Sequence, residues 1–150
     1  MKRGAEGESL PDDARVFRLC RRTSDGRIAP EAFVLSSEDK RHAIPRLSVW
    51  EQSLTTPDQA DPARRYLLVA LLTALEVRRI RPDGPASTSL DVQWEQAWTK
   101  GSDGKPVEST APGAAGHCGI AGLNQGDKAA RKVLRAALAR LANARGAMVR

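Results

Sequence analysis

An adjacent histidine and cysteine, His117 and Cys118, lie in the glycine-rich segment 113–123, GAAGHCGIAGL. A cysteine nucleophile needs a base within hydrogen-bond reach, and a histidine can supply it. Neighbouring residues of an extended strand point to opposite faces of a sheet, so His117 is poorly placed to activate Cys118. The base would instead be His42, in SSEDKRHAIP, brought near by folding. His117, His42 and Cys118 are therefore the candidate catalytic residues.

The same residue types could bind zinc. Cys20, His42, His117 and Cys118 supply two thiols and two imidazoles, which is chemically sufficient for a tetrahedral site. Zinc ligands usually come in close pairs such as C-x2-C, however, and adjacent ligands strain a common metal centre. The sequence also has no Walker loop and no G-x-G-x-x-G, H-E-x-x-H or G-x-S-x-G motif. We therefore predict neither a metal nor a cofactor.

A simpler interpretation of the glycine-rich segment is structural. Cys118 would be a small buried residue at the start of an inner strand, with glycines where another backbone comes close. His117 would be either a structural hydrogen-bonding residue or one polar group of a small pocket. Such a pocket would suit a small hydrolase or transferase in which His117 works with serine, cysteine or carboxylate groups from elsewhere in the chain.

The strongest structural signal is a C-terminal helix between Asp127 and about residue 144. Asp127 can cap its start, and Gly146 can end it. Residues 101–150 carry eight basic and three acidic groups, which gives this third of the chain most of the net charge of +6. The apolar side is Ala130, Val133, Leu134, Ala137, Leu138 and Leu141, and the basic side is Lys128, Arg131, Lys132 and Arg135.

The basic side of this helix is the predicted binding surface. Basic residues grouped within about two helical turns attract acidic partners. The sequence contains no recognised DNA- or RNA-binding module, so that a protein partner is the first expectation and a nucleic acid the second. The leading functional prediction is thus a small accessory or interaction protein rather than an enzyme.

Several other segments predict secondary structure. A core helix is expected from Asp61 to about Ala74, because Pro62 suits a first helical position and leucines recur every four residues. Strands are expected at 15–22, 46–50 and 90–98, the last from strict alternation of apolar and polar residues that Trp98 continues. Val77 and Ile80, followed by DGP at 83–85, predict a further strand and turn, and GSDGKP at 101–106 predicts a hairpin turn.

These elements predict one α+β domain, residues 14–150, with a small antiparallel or mixed sheet packed against two main helices, the second C-terminal. Residues 1–13 are polar and predict a disordered tail. The chain has no apolar run of membrane-spanning length and no signal-peptide region, which predicts a cytoplasmic protein with two free thiols and no membrane contact. The sequence does not define the oligomeric state.

A set of short matches extends over most of residues 15–140. They are Arg21 and Arg22, Gly26 and Arg27, Ala32 and Phe33, LSV at 47–49, TTP at 55–57, and His117, Ile120 and Gly122 in the pattern H-x-x-I-x-G. This pattern is similar to a loose set of small bacterial proteins with no established activity. The resemblance implies a bacterial origin and a shared fold, and it supplies no reaction. His117 belongs to the pattern and Cys118 does not, which argues against a His-Cys catalytic pair.

Overall fold

The computed structural model describes residues 1–81 and 88–150, which form one α+β domain. The strands are β1 (Arg15–Cys20), β2 (Arg46–Glu51), β3 (Leu68–Thr73), β4 (Asp91–Trp94), β5 (Trp98–Lys100), β6 (Pro106–Glu108), β7 (His117–Ala121) and β8 (Met148–Val149). The helices are α1 (Pro57–Ala60), α2 (Ala74–Arg78) and α3 (Lys128–Arg145), with 3-10 turns at Pro30–Phe33, Asp39–Arg41 and Pro112–Ala114.

Six strands form one antiparallel sheet in the order β4-β7-β2-β1-β3-β8, and β5 pairs with β6 in a separate hairpin. This confirms the predicted α+β class, the antiparallel sheet and the C-terminal helix. The predicted strand at Val77 is wrong, because α2 occupies that position, and the turn predicted at 83–85 lies outside the described residues. No helix in the described ranges is long and apolar enough to cross a membrane.

The two faces of the sheet differ in character. One face carries the main core, in which Val49 of β2 and Cys118 and Ile120 of β7 are fully buried together with Leu134 and Leu138 of α3. The other face combines a small apolar cluster, centred on Phe17, Leu19 and Val69, with polar side chains from β2, β4 and β7. Because side chains alternate along each strand, this second face is where polar groups of neighbouring strands meet.

The predicted helix from Asp61 to about Ala74 is wrong, because residues 68–73 form β3 and pair with all six residues of β1. In β3, Leu68 and Leu72 face the main core while Val69 packs in the smaller cluster on the opposite face. A short apolar run buried on both sides lacks the alternation of an ordinary strand and cannot be distinguished from a helix by periodicity. Asp61 begins no helix there, and its carboxylate instead pairs with Arg150 at 2.7 Å.

The C-terminal helix is confirmed, but the residues that it buries differ in part from the predicted apolar side. The Asp127 carboxylate accepts a hydrogen bond from the Ala130 amide at 2.8 Å, and Gly146 follows the last turn with a φ of 92°. Val133 does not face the sheet and is 56% exposed. The helix buries Leu134, Leu138, Ala139 and Ala142.

Residues 1–13, for which composition predicts a disordered tail, lie against β4 in the structure. The Leu10 amide donates to the Val92 carbonyl at 2.9 Å, and the Trp94 amide donates to the Glu8 carbonyl at the same distance. Ser9 forms a bridge with Gln93, and Leu10 is buried. The N-terminal residues thus extend the sheet by a short pairing beyond its β4 edge.

Candidate functional site

The polar face of the sheet forms the floor of a cleft of about 260 Å³. Two further clefts, of about 310 and 590 Å³, adjoin it and share His42 and Trp98 with it. Together they form a groove between segment 36–44 and the region from residue 95 to the β5–β6 hairpin. The part over the sheet is lined by Ser36, Glu38, Asp39, His42, Ser48, Glu95, Gln96, Ala97, Trp98 and His117.

The glycine-rich segment places His117 on this floor. Its strand, β7, lies inside the sheet between β2 and β4, which confirms the inner-strand prediction. A Cβ atom on Gly116 would lie 2.6 Å from the Glu51 carbonyl oxygen, and one on Gly119 would lie 2.5 Å from Cβ of Arg46. Both positions therefore require glycine for steric reasons. The register pairs Trp50 with His117, so the Ser48 side chain lies on the same face, one diagonal position away.

His117 joins a hydroxyl and a backbone carbonyl in one hydrogen-bonded chain. Its Nδ1 lies 2.9 Å from the Glu95 carbonyl oxygen, and its Nε2 lies 3.2 Å from Oγ of Ser48. Because a carbonyl can only accept, Nδ1 carries the hydrogen, and the lone pair of Nε2 faces the Ser48 hydroxyl. This is the arrangement of nucleophile, base and orienting group found in hydrolases that use an activated serine.

The surroundings hold both side chains in place. The Trp50 ring meets the His117 ring edge-on at 5.9 Å between centroids, which limits rotation of the imidazole. Behind Ser48, Nη1 of Arg18 donates to the Ser48 carbonyl at 2.9 Å. Each contact comes from a different strand, so the geometry depends on the assembled sheet.

His117 is uncharged at neutral pH. Burial lowers the pKa of His117 below its ordinary value of 6.5, the hydrogen bond to the Glu95 carbonyl acts in the opposite direction, and the positive charge of Arg3 lowers it further. The net direction is downward, so the lone pair on Nε2 is available at pH 7. A neutral imidazole is the form that can accept a proton from Ser48.

Arg3 donates a hydrogen bond to the same Glu95 carbonyl that orients His117. Its Nη2 donates to the Glu95 carbonyl at 2.7 Å, and its Nη1 donates to the His117 carbonyl at 2.7 Å. The guanidinium also lies over the Trp94 ring, 5.2 Å from its centroid. The N-terminal segment therefore contributes directly to the geometry of the site.

Replacing Arg3 with alanine is expected to raise the pKa of His117. The substitution removes a nearby positive charge and leaves the Glu95 carbonyl with one donor fewer, and both changes favour the imidazolium. An NMR titration of the His117 ring protons gives the shift, with Lys2→Ala as a control that removes an exposed cation one position away. An unchanged pKa in Arg3→Ala, or an equal rise in both variants, would contradict the role assigned to Arg3.

Cys118 does not belong to the site. It points to the opposite face of the sheet from His117, is 0% exposed and has a thiol pKa raised by burial. A raised pKa disfavours the thiolate, which is the form that acts as a nucleophile or metal ligand. Cys20 is also buried, and burial raises its pKa to about 11. Within residues 1–81 and 88–150, no group of three His, Cys, Asp or Glu side chains is arranged to hold a metal ion.

The walls of the cleft are acidic and aromatic. Glu95 pairs with Arg46 at 3.4 Å, and burial raises the pKa of Glu95 although Arg46 opposes the shift. Glu38 and Asp39 come from segment 36–44, where His42 is exposed at the edge of the groove. These carboxylates make the cleft over the sheet better suited to neutral or cationic groups than to anions, while Lys100 and Arg46 line the adjoining clefts.

Sequence reasoning misses several residues of this site, among them Ser48 and Trp98. Ser48 alternates with buried Leu47 and Val49, which indicates the opposite face of the sheet, but the sequence does not show that β2 pairs with β7. Trp98 is expected to continue the apolar face of the fourth strand, yet β4 ends at Trp94 and Trp98 is 58% exposed in the hairpin. The alternation around Ser48 therefore indicates its face of the sheet correctly, whereas the alternation before Trp98 wrongly predicts that Trp98 is buried.

The basic residues of α3 line none of these three clefts. Lys128 and Lys132 are exposed, whereas Arg131 and Arg135 are half-buried beside the buried stripe of the helix. None of the four forms an ion pair with a residue of the described ranges. They are therefore a separate surface.

Comparison of the chain with protein-family models, with curated proteins and with solved structures found no match. The functional inference below therefore rests on the geometry of the site.

Proposed function

We propose that the protein is a small hydrolase in which Ser48 is the nucleophile and His117 is the general base. The observation that carries this proposal is the hydrogen-bonded chain from Oγ of Ser48, through the His117 ring, to the Glu95 carbonyl, with distances of 3.2 and 2.9 Å. Two further features support it. The imidazole is neutral at pH 7, and the serine and histidine line a cleft.

The reaction proposed is hydrolysis of an ester through an acyl-enzyme. Oγ of Ser48 attacks the carbonyl carbon while its proton passes to Nε2 of His117, and the departing alcohol oxygen then takes that proton. Water, deprotonated by Nε2, attacks the acyl group in the second step and releases the acid, with the proton returning to Ser48. The acidic walls and the exposed Trp98 favour an ester with an apolar body and no negative charge.

A fluorophosphonate reagent tests the proposal without knowledge of the natural substrate. Attack by Oγ of Ser48 on phosphorus forms a serine phosphonate ester and releases fluoride, and His117 takes the hydroxyl proton. We expect one adduct per chain, mapped to Ser48 by mass spectrometry, and much slower labelling in His117→Gln. Ser37→Ala, which changes an exposed serine of the neighbouring segment, should label at the wild-type rate.

Labelling spread over several serines, or equal labelling of wild type and His117→Gln, would show that Ser48 is not activated. Unfolding of a variant could also change its labelling, so circular dichroism is measured for each variant to show that it is folded. The proposal needs selective loss of labelling in a variant that keeps its fold.

A second proposal is binding of an acidic partner through the basic face of α3, with a protein as the expected partner and a nucleic acid as the alternative. Its specific support is that Lys128, Arg131, Lys132 and Arg135 lie within about two turns of helix and lack carboxylate partners among the described residues. Lys128 lies in the first turn of α3, where positive charge is unfavourable to the helix and a bound acidic group would be favourable. In both proposals the protein works in the bacterial cytosol.

Reversing the two exposed charges, in Lys128→Glu/Lys132→Glu, is expected to weaken binding of duplex DNA or polyglutamate. Stability should change by no more than about 0.5 kcal/mol, because both side chains are exposed. For DNA, the slope of log K against log salt should fall by roughly 0.9 for each phosphate that the variant no longer neutralises. Titrations at two salt concentrations measure this, with Lys2→Glu/Lys40→Glu as a control of equal charge. Equal weakening in both double variants would show that only net charge matters.

A further inference from the structure

Arg18 is an arginine on the buried face of a core strand. In β1 it stands between Val16 and Cys20, both buried, and it pairs in register with the fully buried Ala70 of β3. An apolar side chain is the usual occupant of such a position, because moving a charge out of water is expensive. The presence of a guanidinium here therefore needs a physical reason.

The hydrogen bonds of Arg18 use only some of the N–H donors of its guanidinium. Nε donates to the Ala32 carbonyl at 3.1 Å, and Nη1 donates to the Ser48 carbonyl at 2.9 Å. Nη2 has no hydrogen bond to a described residue, and Arg18 is one of the residues that line a neighbouring cavity. A guanidinium has five N–H donors, and several of them remain free here.

No carboxylate in the described part of the chain pairs with Arg18. Arg46, Arg78 and Arg150, by contrast, each pair with at least one aspartate or glutamate. Burial lowers the pKa of Arg18 from its ordinary value, which is the direction expected of a desolvated charge without a counter-ion. The negative charge of Asp39 opposes this shift without forming an ion pair, so Arg18 has no direct counter-ion among the described residues.

Arg18 lines a cavity of about 310 Å³ that shares no residue with the cleft over His117. This volume is at the lower end of the range of roughly 300–1,000 Å³ for small-molecule sites. A second arginine, Arg21, and the ring of Tyr66, which is 37% exposed, also line it. The hydroxyl of Tyr66 has no hydrogen bond within residues 1–81 and 88–150. The remaining lining residues are Leu19, Cys20, Thr23, Ala29, Glu31 and Ala32.

We propose that this cavity is a binding site for a small organic anion, a phosphate monoester or a carboxylate with an apolar or aromatic body. The free edge of Arg18 would bind the anionic group, with Arg21 adding positive charge and the Tyr66 hydroxyl a further donor. Leu19, Ala29 and the Tyr66 ring would contact the body of the ligand. Glu31, which is exposed at the cavity and pairs with neither arginine, disfavours an extended polyanion such as a nucleic acid.

Calorimetric titration with phenyl phosphate and with benzoate, at constant ionic strength, tests this site. We expect saturable binding of one ligand per chain, weakened roughly ten- to hundredfold in Arg18→Gln, since a hydrogen bond to a charged group is lost. The control is Arg15→Gln, which removes an exposed arginine from the same strand and should bind as the wild type does. Binding of phenyl phosphate alone would identify a phosphate monoester as the ligand, and binding of benzoate would extend the class to carboxylates.

Tyr66→Phe provides a second variant that keeps the ring and the fold while removing only the hydroxyl, and it should weaken binding severalfold. Failure of both ligands to bind the wild type would overturn the proposal. So would equal loss in Arg18→Gln and Arg15→Gln, which would reflect net charge alone. The assay measures binding only, so its outcome does not depend on whether Ser48 is a nucleophile.

Discussion

Replacing Ser48 with alanine is expected to lower kcat/KM for p-nitrophenyl acetate by about a thousandfold or more. The substitution removes the atom that attacks the ester, while the buried neighbours Leu47 and Val49 keep the strand in place. His117→Gln should cause a similar loss, and the double variant should be little worse than either single one. Residues that act as one unit are strongly non-additive in this way.

The pH dependence of the same reaction provides an independent check on His117. Because burial places the folded pKa of His117 below 6.5, the rate should fall as the imidazole gains a proton, with the midpoint of that fall below pH 6.5. Ser37→Ala is the matched serine control and should retain the full rate. A rate that Ser48→Ala leaves unchanged, or a fall in rate with its midpoint above pH 6.5, would contradict the assigned roles.

Leu72→Ala is expected to reduce the free energy of unfolding by about 2–5 kcal/mol. Leu72 is 0% exposed and packs in the main core beside α3, so the smaller side chain leaves a cavity there. Its neighbour Leu71 is only half-buried and packs against the small cluster on the opposite face. Leu71→Ala should therefore cost clearly less than Leu72→Ala, although both changes remove the same atoms from adjacent residues.

Urea denaturation monitored by tryptophan fluorescence measures this difference. The comparison also distinguishes the two possible structures of residues 61–74. A helix with leucines at 67, 71 and 75 on its buried side would make Leu71 the costlier position. A greater loss in Leu71→Ala than in Leu72→Ala would therefore contradict both the strand β3 and its register with β1.

Arg18 connects the two sites proposed for this protein. Its Nη1 donates to the carbonyl of Ser48 at 2.9 Å, and Arg18 also lines the separate cavity of about 310 Å³. β1 and β2 pair at only two positions, Val16 and Phe17 on the β1 side. The Arg18 side chain therefore spans two strands where their own pairing has ended.

Local patterns in the sequence are sufficient for the elements whose signals are contained in neighbouring residues. For α3, the capping residue Asp127, the apolar stripe and the terminating Gly146 all lie within about twenty residues. The alternation around Val92 and the turn at 101–106 likewise identify β4 and the β5–β6 hairpin. Capping, amphipathic periodicity and turn chemistry act over a few residues, and for this reason one sequence reveals them.

The site depends on pairings between distant segments, and the sequence does not specify them. Ser48 and His117 are 69 residues apart and meet only because β2 pairs with β7. The same sheet separates His117 from Cys118 by placing them on opposite faces, and it makes residues 68–73 a strand because β1 provides the hydrogen-bonding partner. Propensity and periodicity describe what a segment can form, whereas long-range pairing and burial on both faces select among those forms. The sequence therefore determines the fold class and the C-terminal helix, and the tertiary structure decides which polar residues share a cleft.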